Sequence, residues 1–109
     1  MVYDEALAGR VRAVVGQRED VVARRMFGGL AFLVNGHMAC GIQGDRLVLR
    51  LGAQGAAAAL REPHTAPMDF TGRALKSMIY VDAAGTRREV DLRRWVGLAV
   101  SFAGRLPPK

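Results

Sequence analysis

The tightest constraint on how this chain folds is Asn35-Gly36, set between the apolar runs Leu30-Ala31-Phe32-Leu33-Val34 and His37-Met38-Ala39-Cys40-Gly41-Ile42. Both central residues of a type I′ turn need positive φ, which Asn tolerates and Gly permits freely, so the pair predicts a two-residue hairpin. Around it, Arg24 to Leu51 reads as an antiparallel meander. Val21-Val22-Ala23 enters a first strand that reaches Met26-Phe27, the hairpin follows, and Gln43-Gly44-Asp45 turns the chain into Arg46-Leu47-Val48-Leu49-Arg50-Leu51. Gly28-Gly29 interrupts the apolar pattern and predicts a bend, a bulge or a close backbone approach.

Helical patterns flank the meander. Asp4 is placed to cap a helix carrying Leu7, Val11, Val14 and Val15 on one face, with Gly16 at its end. The alanine-rich run Ala53 to Leu60 predicts a short helix, which Pro63 ends. His64 to Leu75, with Pro67 and Gly72, reads as a long loop. Lys76 to Val81 then reads as a strand, and Asp82 to Gly85 as a turn. Thr86-Arg87-Arg88-Glu89 has the spacing of a capping box and opens a last helix, on which Leu92, Trp95, Ala99, Phe102 and Leu106 form one buried stripe.

At 109 residues the chain is long enough for one core without staples. One cysteine, Cys40, excludes an internal disulfide and favours a reducing compartment. No apolar run approaches the roughly eighteen residues of a membrane span, and the first residues lack the layout of a signal peptide. These features predict a cytoplasmic protein with no membrane partner. The net charge of +6 is uneven: residues 1–70 carry eight basic and seven acidic side chains, residues 71–109 eight and three.

No set of residues predicts a reaction. Gly28-Gly29 lacks the lysine and hydroxyl residue of a phosphate loop. His37 and Cys40 are an odd number of positions apart, which on one regular strand points them to opposite faces, so no metal site is expected. Cys40 reads as a small buried thiol, and neither Ser77 nor Ser101 lies on a nucleophile turn. Tyr80, Trp95 and Phe102 sit on apolar patterns that predict burial rather than base stacking. No cofactor is implied.

The elements Arg25-Met26-Phe27-Gly28-Gly29, the Asn35-Gly36 hairpin, Leu47 to Leu51, Pro67-Met68 with Phe70, Tyr80-Val81, Leu92 to Trp95, Phe102-Ala103 and Leu106-Pro107-Pro108-Lys109 together resemble the N-terminal domain of TfoX/Sxy-type bacterial competence regulators. The resemblance implies an α+β fold: a two-layer sandwich of a mainly antiparallel five-stranded sheet with helices, similar to secretion chaperones. The order is helix, three strands, helix, strands, helix. It also implies a standalone single domain over 1–109, a link to competence genes for DNA uptake by assisting a transcription regulator, and no catalytic residues.

The expected function is therefore a non-enzymatic regulatory module that binds a protein partner, with a homodimer among the assemblies it allows. The alternatives are a weakly nucleic-acid-associated basic domain, or a small-molecule-binding protein or enzyme with a pocket near Gly28-Gly29 and the 64–75 loop. Arg25, Met26, Phe27, Gly28 and Gly29 are the candidate structural or interaction motif, and Arg87 and Arg88 are candidate phosphate contacts. Glu89 with Arg93 and Asp91 with Arg94 are placed to pair along the last helix, which would leave that face solvated rather than dedicated to DNA.

Overall fold

A computed structural model describes residues 3–16, 18–26, 28–70 and 73–107. The Asp4 carboxylate accepts from the amides of Ala6 (2.9 Å) and Leu7 (3.1 Å) and starts α1 (Glu5–Val15), which ends at Gly16 with φ +66°. The meander follows as β1 (Val21–Met26), β2 (Gly29–Val34), β3 (His37–Gln43) and β4 (Arg46–Arg50). Asn35 (φ +52°) and Gly36 (φ +85°) form the expected β2–β3 turn. Then come α2 (Gly52–Ala59), β5 (Thr65–Phe70), β6 (Arg73–Val81), α3 (Ala83–Thr86) and α4 (Glu89–Gly104).

Among the described residues the strands form one antiparallel sheet in the order β1-β2-β3-β4-β6-β5. It has six strands rather than the expected five, because 65–70 is a strand and not part of a loop, and four strands rather than three stand between α1 and α2. Pro67 misleads here: a residue without an amide hydrogen is excluded from central strands but tolerated at an edge or beside a bulge. β5 is the edge, and its register against β6 shifts between Pro67 and Met68.

The helices cover one face of the sheet. Leu7, Val11 and Val15 of α1, Ala56 and Ala59 of α2, and Leu92, Trp95, Val96 and Ala99 of α4 pack on Leu30, Phe32, Val34, Cys40, Ile42, Leu47, Leu49, Ile79 and Val81. Trp95 is buried there as its spacing predicts, whereas Phe102 stays half-exposed at the rim. The capping box does not form. Thr86 is buried, and its hydroxyl donates to the Ala83 carbonyl at 3.3 Å, while Arg88 stands at the start of α4 without a side-chain cap. Glu89 and Asp91 in the first turn offset the exposed amides through the helix dipole.

Candidate interaction surface

The face of the sheet turned away from the helices carries a second apolar cluster of Val48, Met68 and Tyr80, with Met38, Ala66 and Met78 packed against it. Its layout follows from the strand registers. Arg24, Ala31, Gly41, Val48, Tyr80 and Ala66 are successive cross-strand neighbours and form one row across the sheet. Val22, Leu33 and Met38 form the next row. Between β2 and β3 the register slips at Phe32/Leu33, with Ala39 as the extra residue, and this bulge returns Met38 to the open face.

Polar groups rim this face. The Arg46 guanidinium lies over the Tyr80 ring at 3.6 Å, and the Tyr80 hydroxyl donates to the Gln43 side-chain carbonyl. Arg46 on the ring and the neighbouring Val48 and Met68 together bury Tyr80 on the face turned away from the main helical layer.

β1 forms the margin of the same face. Val22 is 53% exposed and Met26 39%, with Ala23, Arg24 and Arg25 also exposed. Of the glycine motif, Gly28 takes φ +74° in the β1–β2 turn, a conformation that L side chains rarely adopt. Gly29 is held by contact: a Cβ there would lie 2.0 Å from the Ile42 carbonyl oxygen. Both glycines thus serve the backbone, while Arg25 and Met26 present side chains to solvent; Phe27 lies outside the described residues.

Arg87 and Arg88 sit exposed between α3 and α4. Arg10 donates to the carbonyls of Thr86 (2.7 Å) and Arg87 (3.3 Å), which ties α1 to this segment. Glu89 faces Arg93 at 3.2 Å and Arg10 at 3.7 Å, so acid and base alternate here. Arg94 does not pair with Asp91 as the helical spacing suggests. It reaches Glu62 with both terminal nitrogens (2.6 and 3.2 Å) and lies over the Trp95 ring at 4.2 Å.

The chain is matched over residues 13–103 by the TfoX N-terminal domain family. It belongs to that family. No curated protein and no solved structure matches it.

The other expected sites of this TfoX N-terminal domain do not assemble. Gly28-Gly29 and residues 65–70 lie at opposite edges of the sheet, so the expected pocket between them is absent among the described residues. His37 points to the Pro107 carbonyl and His64 precedes β5, while Cys40 is buried in β3. Burial pushes the Cys40 thiol up to about 12. Among the described residues no group of three His, Cys, Asp or Glu side chains could hold a metal ion, and no helix is long and apolar enough to cross a membrane. The surface formed by β1 and the open face had no sequence signature, because its members meet only through strand order.

Proposed function

We propose that this TfoX N-terminal domain is a non-enzymatic regulatory module that binds a protein, and that it assists a transcription regulator of competence for DNA uptake. Family membership supports the regulatory setting. The observation that carries the binding role is the open sheet face itself: Val22, Leu33, Met38 and Met78 are partly or largely exposed there, beside an edge strand with exposed backbone. Methionine-bearing surfaces adapt readily to partners because the unbranched thioether repacks at little cost. The charges around Arg87 and Arg88 are interleaved with Glu89 and Asp91, which weakens attraction to phosphate and favours a protein partner over DNA.

The test is affinity capture from native bacterial lysate with mass spectrometry, paired with a reporter of DNA-uptake genes in cells overproducing the domain. The expected result is recovery of a transcription regulator together with reporter induction. A domain that captures no protein, leaves the reporter unchanged, and is stabilised in thermal-shift assays by a metabolite would overturn the reading.

A further inference from the structure

The two edges of the sheet are treated differently. β5 is blunted by Pro67 and by the register shift beside it, devices that discourage strand addition. β1 has none of these: it pairs with β2 through six consecutive residues without a shift and contains no proline. The Asn35 amide donates to the Asp20 carbonyl at 2.9 Å. Alternation along an antiparallel ladder then turns the backbone groups of Val22, Arg24 and Met26 toward β2, and those of Ala23 and Arg25 outward.

The charge on β1 itself has one sign. Arg24 projects on the open face between Val22 and Met26, and Arg25 projects on the helical side. Arg12 of α1 stands nearby, 6.0 Å from the centre of the Phe32 ring. Among the described residues none of Arg12, Arg24 and Arg25 makes an ion pair. Of the two acids just before β1, Asp20 is taken by Arg18 through two hydrogen bonds, which hold its carboxyl below the ordinary range, and Glu19 is exposed ahead of the strand. Between α1 and β1 lies a groove of about 190 Å³ with Val15, Val21, Ala23 and Phe32 along it and Arg12 on its lip.

We propose that β1 is a docking edge for an extended acidic peptide of a partner protein, which adds as a seventh strand. This rests on the interaction-module reading above and names the partner's chemistry. Outward amides and carbonyls at Ala23 and Arg25 supply the backbone ladder, and alternate side chains supply selectivity. Opposite Val22 and Met26 the peptide carries apolar residues, and opposite Ala23 an apolar residue that enters the groove. Opposite Arg24 and Arg25 it carries two consecutive acids, one on each face. Its core therefore reads apolar-apolar-acid-acid-apolar when parallel to β1 and the reverse when antiparallel. A second copy of this chain is a poorer occupant. β1 holds two arginines and no acid, so pairing β1 with β1 gathers four guanidinium groups at one junction.

The test is fluorescence anisotropy with labelled peptides bearing the cores Leu-Val-Glu-Asp-Leu and Leu-Asp-Glu-Val-Leu, and matched peptides in which Lys-Lys replaces the acids. One acidic orientation should bind saturably and its Lys-Lys counterpart should not. Ala23→Pro removes an outward amide that β2 does not use, so it should keep the fold and weaken binding roughly tenfold or more. Should that variant fail to fold, the double variant Arg24→Glu/Arg25→Glu decides, because it should reverse the preference toward the Lys-Lys peptide. Equal affinity of wild type and both variants overturns the edge proposal, and so does absence of binding to either acidic peptide. Tighter binding to single-stranded DNA than to peptide, or a dimer in sedimentation that Ala23→Pro abolishes, also overturns it. The broader module reading has its own readout: if lysate capture of a regulator is unchanged by Ala23→Pro, the edge proposal fails and the module stands.

Discussion

The two faces of the sheet are built from the same strands and have different physical roles. Under the helices, Trp95, Ile42, Leu47, Leu49 and Leu92 interlock with almost no exposure, and each side chain meets a neighbour from another layer. On the open face Val48 and Met68 are just as buried, yet the cover comes from the sheet itself, from Met38, Met78, Tyr80 and the stacked Arg46. Burial at these central positions therefore does not separate the faces. What separates them is whether the cover is another packed element or a set of long side chains able to move aside. The first is costly to disturb; the second can exchange water or a partner for its own cover.

That contrast is tested most severely at Trp95. Trp95→Ala should cost about 3 to 5 kcal/mol in chemical denaturation, a large part of the stability of a domain this size. A loss below about 1 kcal/mol would mean the helical layer is no tighter than the open face. Cys40 reports on the same layer without mutation. Its folded-state thiol is raised from an ordinary 9.0 to about 12 by burial, so the folded state favours the protonated form. The stability this contributes is fully present below about pH 9 and is lost as pH rises toward 12. At neutral pH, alkylation of Cys40 should occur only through opening, slowed on the order of a thousandfold relative to the unfolded chain. Rapid alkylation under native conditions would break the comparison.

Gly29→Ala should come next, at about 1 to 3 kcal/mol, because the new Cβ meets the Ile42 carbonyl and one strand must shift. Gly28→Ala meets no neighbour and should cost only about 1 kcal/mol for its left-handed backbone. If the two costs were reversed, the contact with β3 would not be the reason for the second glycine. Tyr80→Phe on the open face should cost about 1 kcal/mol, the net worth of the bond to Gln43, as measured by urea denaturation. A cost near that of Trp95→Ala would mean the open face is as rigidly built as the covered one.

These positions also show which parts of the molecule were legible in sequence. The meander was readable because Asn35-Gly36 and Gly44 require local backbone conformations that few other residues accept, and helix α1 because Asp4 caps within three residues. Both are short-range facts. β5 was missed because Pro67 forbids only a central strand, and centrality is a property of the assembled sheet. The capping box failed for a similar reason: Thr86 has the right spacing, but the segment it occupies is buried and closes its own turn on Ala83. Arg94 chose Glu62, at the end of another helix, over a neighbour on its own. Gly28 and Gly29 were visible as a motif, while the surface beside them was not. Val22, Arg24 and Met26 become a margin only when β1 is known to be the outermost strand.

The smallest expected effect is the most informative about that margin. Arg24→Ala and Arg25→Ala should each change stability by no more than about 0.5 kcal/mol, because both side chains are exposed and neither makes an ion pair among the described residues. Removing either also lowers the local density of positive charge beside Arg12, a slight gain at low salt that screening should erase by physiological ionic strength. Urea denaturation of the two single variants and the double at low and physiological salt checks this. A salt-independent loss of more than about 1 kcal/mol in either single variant would mean that its aliphatic stem packs on the strand, and that the arginines belong to the fold rather than to its open edge. The expected near-zero change means that these two adjacent arginines of the edge strand contribute little to folding, and their contribution should then be sought in what the edge binds.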